Sequence, residues 1–365
     1  MSRAGLRKLR SAVFSRRVLL RSESGKYTAQ PATIFIEDGK ISDVVRQETV
    51  ADGTDHDDVD FQDFGDALIT PAFINAHTHT PMNALRGVGK ASALKGNVVE
   101  DLFFKIERLF EPGDIRAFTR MGAYENLLAG VGTVWEHYYG GVELAEGLRD
   151  VGINAVVAPT LQDLNGPGVP ILEEEWVNTI KILDDEFAAS GIVPCLGPHA
   201  TDTVSEDLWQ RVLALAEEHS LPIHFHNAQS CEEYQRSFDR HNCSPVERLQ
   251  QIGVLDSTSN IVLVHNLFVN DHDLSLLSEA SAKNNNISMV FCPFAQMQFD
   301  FPAHVASWVD AGIPFLLGTD AAASNDAMCL QSELKSLSNL FSHRTTFSPE
   351  HERCFEWKYL PRKKK

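Results

Sequence analysis

Two histidines one residue apart, His77 and His79 in the stretch NAHTHTPMNALRG, follow an apolar run, ALITPAFI, that reads as a buried strand. Along a strand, residues i and i+2 point to the same side, so both imidazoles face one way. Two neutral imidazoles converging in one place make half of a metal site. Buried without an ion, each would need its own hydrogen-bond partners. The spacing recurs as HFH at His224 and His226. A lone H-x-H is weak evidence. The pattern becomes specific when H-x-H ends one strand, histidines end two later ones (PIHFHNA and IVLVHN, the second at His265), and GTD, with Asp320, ends another.

The elements that must position these residues alternate regularly. From Ala67 onward, eight strand-like runs are separated by helical segments: ALITPAFINAH, TVWEHYY, INAVVAPTL, IVPCLGPHA, LPIHFHNA, NIVLVHNLF, ISMVFCPF and IPFLLGTDA. Each is short and rich in Val, Ile, Leu or Phe, as a parallel strand buried on both faces should be. SEDLWQRVLALAEEHS reads as a helix N-capped by Ser205, with acids early and a histidine late. Eight βα units in series predict an α/β chain folded as a (β/α)8 TIM-type barrel, whose active site is built at the C-terminal ends of the strands. The histidines agree with that expectation. Seven of the fourteen (His77, His79, His137, His199, His224, His226 and His265) fall at or near those ends. His219, His272, His304 and His343 fall in helical or loop segments and read as solvated surface groups.

Residues 1–66 read as a small β-subdomain, with strand-like segments around Ala12 to Leu20 and Ala32 to Val45 and turn residues such as EDGK. The barrel is expected over 67–343, followed by a tail over 344–365. The first 21 residues are basic and serine-rich without an acid, which fits either an organelle-targeting segment or an opening strand. DGTDHDDVDFQD, from Asp52 to Asp63, reads as a solvated acidic loop that removes His56 from consideration.

With 365 residues, 43% hydrophobic and 22% charged, the composition is that of an ordinary globular protein. A net charge of −18 argues against nucleic acid and for a small-molecule partner. No run is apolar enough to span a bilayer. Six scattered cysteines without a C-x-x-C pair predict reduced thiols and a cytoplasmic location, with Cys195 and Cys292 as small core residues.

PAFINAHTHTPMNALRG, GPHATDTVSEDLW, PIHFHNAQSCEEY, IVLVHN, FCPFAQMQF and LLGTDAAASND, in that order, resemble the amidohydrolase superfamily. Within it, the resemblance is to the branch of cytosine, guanine and S-adenosylhomocysteine deaminases and triazine hydrolases. It implies that His77, His79, His226 and Asp320 hold one divalent metal, zinc favoured and iron the alternative. It also implies that His265 polarises the attacked group and orients the water, that Asp320 accepts that water's proton, and that His199 contacts substrate. Only the second histidine of HFH matches a ligand, leaving His224 a structural reading. No lysine ends the fourth strand, where binuclear relatives carry a bridging one, so a single ion is expected. Further substrate-contact candidates are Asn83, Arg86, Glu136, His137, Gln162, Asp163, Asp202 and Gln296, each with a bland reading as a loop cap or surface group.

Two departures qualify the resemblance. Where the deaminases carry H-x-x-E, this chain has Gln229, which can hydrogen-bond but cannot shuttle a proton. Relatives also add strands to the N-terminal sheet after the barrel, and here the sequence stops soon after the eighth helix, which predicts an incomplete sheet with an open edge. The favoured expectation is hydrolytic deamination of an aromatic nitrogen heterocycle. Its rivals are a catalytically silent or truncated metal-binding homologue and a hydrolase of amide or C–Cl bonds. Barrel enzymes of this class associate, which leaves a homodimer an open expectation.

Overall fold

The computed structural model describes residues 10–52, 54, 59–88, 97–284, 286–298 and 305–342. Arg3, Arg7, Lys8, His56, His304, His343, Cys354 and the tail over 344–365 lie outside these. Contacts divide the chain into a unit of Met1–Ala72 and a unit of Phe73–Lys365.

In the first unit, β1 (Arg10–Arg21), β2 (Tyr27–Glu37), β3 (Lys40–Val45) and β4 (Val59–Asp63) form a sheet in the order β3-β2-β1-β4, and β5 (Leu68–Ile69) also pairs with β1. Three of its features depart from the sequence reading. The second segment is two strands, because Asp38 and Gly39 take φ of 51° and 76°, the left-handed pair of a tight hairpin turn. The end of the acidic stretch is not loop: Val59–Asp63 pairs in parallel with Arg10–Phe14. The run ALITPAFINAH is broken, Leu68–Ile69 joining β1 while Phe73–Thr78 opens the second unit, so the division falls at Ala72 rather than at residue 66. Val18, Ala32 and Ile34 form a small core of their own.

The second unit alternates strand and helix. Its strands are β6 (Phe73–Thr78), β7 (Val131–Tyr138), β8 (Asn154–Leu161), β9 (Ile192–Pro194), β10 (Gly197–Pro198), β11 (Ile223–Asn227), β12 (Ile261–His265), β13 (Ile287–Phe291) and β14 (Phe315–Leu317). They make two parallel sheets, β10-β8-β7-β6 with β9 on β8, and β11-β12-β13-β14. Parallel bridges at Thr78 with Asp320 and at Leu196 with Ile223 join the two sheets at both ends. The fourth strand-like run is thus interrupted at Cys195 and Leu196.

Alternation sorts the strand residues. In β11 and β12, Ile223, Phe225, Ile261 and Leu263 pack with the helices in a large cluster that includes Trp209 and Trp308. Val262 and Val264 join Ala76, Val290 and Cys292 in a separate inner cluster. Cys195 and Cys292 are fully buried thiols, as small core residues should be. The helix Glu206–His219 begins where the sequence places it, with the Ser205 hydroxyl accepting from Leu208 N–H at 3.2 Å. Among the described residues, no helix is long and apolar enough to cross a membrane.

Candidate active site

The strand ends β6, β11, β12 and β14 bring four histidines and one carboxylate together. His77 and His79 project from β6 with ring centroids 4.6 Å apart, and His226 lies within 5.0 Å of His77 and 5.3 Å of His79. The Nε2 atoms converge: His226 to His79 is 3.3 Å, while Asp320 Oδ1 stands 3.6 Å from His77 and 3.5 Å from His79. Ligand atoms around a tetrahedral zinc-like ion with bonds of about 2.1 Å are separated by about 3.4 Å, close to these three distances; the ligand atoms of His77, His79 and His226 form one cluster within 4.8 Å and those of His77, His265 and Asp320 another.

Three further observations test that fit. His77 is fully buried, yet its Nε2 has no hydrogen-bond partner among the described residues, an expensive arrangement unless the lone pair is used. His79 and His226 each direct Nδ1 to a backbone carbonyl, of His137 and of His199 (3.0 Å) respectively, which fixes the proton on Nδ1 and turns the Nε2 lone pair to the centre. His77 Nδ1 meets His224 Nε2 at 3.0 Å. His224 is therefore an outer partner that orients His77. Burial lowers the pKa of His77 to about 3 and holds His79 and His226 below their ordinary values too, so all three are neutral donors near pH 7. Burial pushes Asp320 up, but the His77 contact and the surrounding imidazoles outweigh it and hold the carboxyl below its usual range.

The backbone supplies what alternation cannot. His265 has the parity of Ile261 and Leu263, which face the helices, so a plain strand would turn it away from the site. Instead His265 and Asn266 take φ of 78° and 50°, and the His265 ring lies 5.4 Å from that of His226, stacked upon it. Asp320 is likewise left-handed, at φ 59°, with Thr319 and Asp320 N–H both donating to His77 O at 3.1 Å. Such backbone is costly for residues other than glycine and persists where its surroundings enforce it. Asn75, just upstream of the H-x-H, ties the two segments through Thr319 Oγ1 (2.8 Å) and Thr319 N–H (3.0 Å). Gly318 is required for the approach: a Cβ there would lie 2.9 Å from His77 Cβ, N and O.

A cavity of about 750 Å³ opens over this centre. Of the residues expected to meet substrate, His137, His199, Gln229, Gln296 and Asp202 line it, together with His265. Gln296 Nε2 is 3.2 Å from His265 Nδ1, and His199 Nδ1 is 2.9 Å from Thr203 Oγ1. Asn83 and Arg86 do not line the cavity. Asn83 donates to Glu125 at 2.7 Å, and Arg86 bonds Glu125 and the Asp326 carbonyl. Glu136, Gln162 and Asp163 also serve structure, accepting from Thr80 N–H (2.8 Å), Tyr139 OH (3.0 Å) and Ser205 N–H (2.7 Å). Glu100, Phe103, Phe104, Glu107, Tyr138 and Phe294 line the cavity without having been singled out in sequence. The first four belong to a wall, Val99–Glu107, that follows no strand end, so no strand-end rule could find them.

Comparison with known proteins follows the same lines. The sequence model of the amidohydrolase family matches residues 68–353. A 5'-deoxyadenosine deaminase of Methanothrix thermoacetophila is 28% identical over 304 residues, covering 83% of this chain and 68% of that protein. A 5-methylthioadenosine/S-adenosylhomocysteine deaminase of Aquifex aeolicus is 30% identical over 266 residues, 72% of this chain and 60% of that one. The chain thus spans 60 to 68% of the length of these two relatives. Among solved structures, an adenosine deaminase from Xanthomonas campestris with bound zinc superimposes with a TM-score of 0.73 at 21% identity, over 90% of this chain and 73% of that one. That likeness bears on the fold, which is α/β of the TIM-barrel type. With its family-model match, its fold and its strand-end histidines and aspartate, the chain belongs to the amidohydrolase family.

Proposed function

We propose that this protein is a metal-dependent deaminase of an amino-substituted nitrogen heterocycle of the adenine kind, using one zinc ion held by His77, His79, His226 and Asp320. The observation that carries it is the approach of His226 to His79 at 3.3 Å and of Asp320 to His77 and His79 at 3.6 and 3.5 Å, beneath a cavity large enough for such a ring. The named relatives support the substrate class. The two bridges between the parallel sheets support reading β6 to β14 as one closed (β/α)8 ring, with Met1–Ala72 as a small β-subdomain.

A divalent ion, when bound, lowers the pKa of water and makes a nucleophile available near neutral pH. The side chains do the rest. Asp320, ionised and beside His77 and His79, accepts the proton released by the water. Gln296 engages His265 at Nδ1 and leaves Nε2 to face the reacting carbon's substituent. Phe103, Phe104 and Phe294 offer apolar surface to a flat ring and exclude water from it. Gln229 lines the cavity but cannot deliver a proton to a ring nitrogen.

Gln229 is also the observation that favours the second reading, a metal-binding homologue without deaminase turnover. Zinc content and ammonia release over a panel of adenine nucleosides decide between them: metal with ammonia supports the deaminase, metal without turnover the silent homologue. If ring protonation limits the rate, Gln229→Glu should raise turnover by about 10²-fold or more, the usual contribution of a general acid. A fall in turnover on the same nucleosides would show that the amide is a binding group instead.

A further inference from the structure

One buried carboxylate joins the two segments that carry the proton-handling groups. Glu333, on the helix Leu330–Ser342, is fully buried and is not among the residues that line the cavity. Its Oε2 accepts from Phe294 N–H at 2.9 Å and its Oε1 from Asn325 Nδ2 at 2.6 Å. The first contact caps the short helix Pro293–Gln298, which follows Cys292, a poor acceptor, and so lacks a cap of its own. That helix carries Phe294 and Gln296 into the cavity lining, and Gln296 engages His265 Nδ1 at 3.2 Å. The second contact runs the other way. Asn325 Nδ2 also donates to Thr319 O at 2.7 Å, one residue before Asp320. Both oxygens of a carboxylate accept, whereas an amide would turn its NH2 toward one of the two donors.

We propose that Glu333 is a positioning residue for the hydrolysis, fixing the Gln296–His265 pair and Asp320 relative to one another. The proposal rests on the deaminase reading, in which His265 faces the reacting group and Asp320 takes the water's proton, and adds the residue that sets their separation. His265 and Asp320 need such support. Their φ of 78° and 59° are costly outside glycine and persist only while the surroundings hold them. A displacement of about 1 Å in groups of this kind can cost about 10²-fold in rate.

The test uses the full chain with zinc and 5'-deoxyadenosine as the assayed nucleoside. Glu333→Gln should lower zinc affinity, measured against a competing chelator, by about tenfold or more. It should lower kcat by at least as much while KM stays within about threefold. Asn325→Ala cuts only the arm to Thr319 and should weaken zinc in the same direction. Combined with Glu333→Gln it should add little, because both changes break one link. Ser244→Ala removes the cap of the helix Pro245–Ile252, outside the cavity lining, and controls for lost stability; it should lower Tm and leave zinc affinity, kcat and KM unchanged. Unchanged zinc affinity in Glu333→Gln, a fully additive double variant, or an equal loss in Ser244→Ala overturns the proposal. If Glu333→Gln does not fold, Asn325→Ala is held to the same zinc criterion. If the wild type releases no ammonia, the deaminase reading falls and zinc affinity alone decides the role of Glu333.

Discussion

At the scale of single residues, the site is defined by which imidazole atoms are satisfied and which are not. His77 Nε2 and His224 Nδ1 are both buried without a partner among the described residues, but His77 belongs to the cluster of converging donors, whereas His224 spends Nε2 on His77 Nδ1. His77→Ala or Asp320→Ala should therefore abolish stoichiometric zinc, because each removes one of four protein donors. His224→Ala should keep the ion and weaken it by about 10- to 100-fold, the usual effect of removing a group that orients a ligand. Elemental analysis with a competing chelator measures both. Zinc retained in the first two variants, or lost outright in the third, would overturn the assignment of donors. H-x-H spacing at β6 and β11 made His77, His79 and His226 legible in the sequence; alternation alone aims His226, whereas Ala76 joins the inner cluster and a register shift between Asn75 and Thr78 brings His77 to the centre. Asn83 and Arg86 looked equally suited by position, but their reach to Glu125 is a long-range contact that no local pattern encodes.

At the scale of elements, two devices invite measurement. In the first unit, β3 and β4 are the edges of the sheet among the described residues, and most of their side chains are exposed. Their amides should exchange with solvent faster than those of β1, which pairs on both sides. Exchange as slow in β3 and β4 as in β1 would mean that another chain or segment covers them. In the second unit, Glu175 binds the start of helix Gly141–Val151, accepting from Gly140 N–H at 3.0 Å and Gly141 N–H at 3.2 Å. Burial raises its carboxyl from 4.5 to about 7. A raised folded pKa contributes stability that is fully present below the unfolded value and is lost as pH rises through the folded one. Wild type should therefore lose ground to Glu175→Gln by about 1.4 kcal/mol per pH unit between 4.5 and 7, and no further above that. Urea unfolding of the two proteins across that range checks it, and a constant difference would show that Glu175 is ionised throughout.

At the scale of the molecule, the donors come from strands far apart in sequence, so an ion held by them links β6, β11 and β14 and is bound by the folded chain alone. Zinc at about 100 times its dissociation constant should add about 2.7 kcal/mol to stability, and a chelator should lower Tm by the corresponding amount. A melting temperature indifferent to zinc would place the ion elsewhere. The sequence by itself determined the alternation of eight strand-like runs with helices, the Ser205 cap and the paired spacing of the histidines at two strand ends. All of these depend on short periods and local chemistry. It did not determine where apolar runs break, and so ALITPAFINAH was read as one strand although its halves serve different units. Nor could it foresee that His265 and Asp320 enter the site through left-handed backbone, or that Glu100, Glu107 and Asp202 gather around it. Those facts belong to tertiary structure. A strained φ is held by contacts such as the Thr319 and Asp320 amides on His77 O, and the charge of the cavity wall is the sum of segments that meet only when the chain is folded.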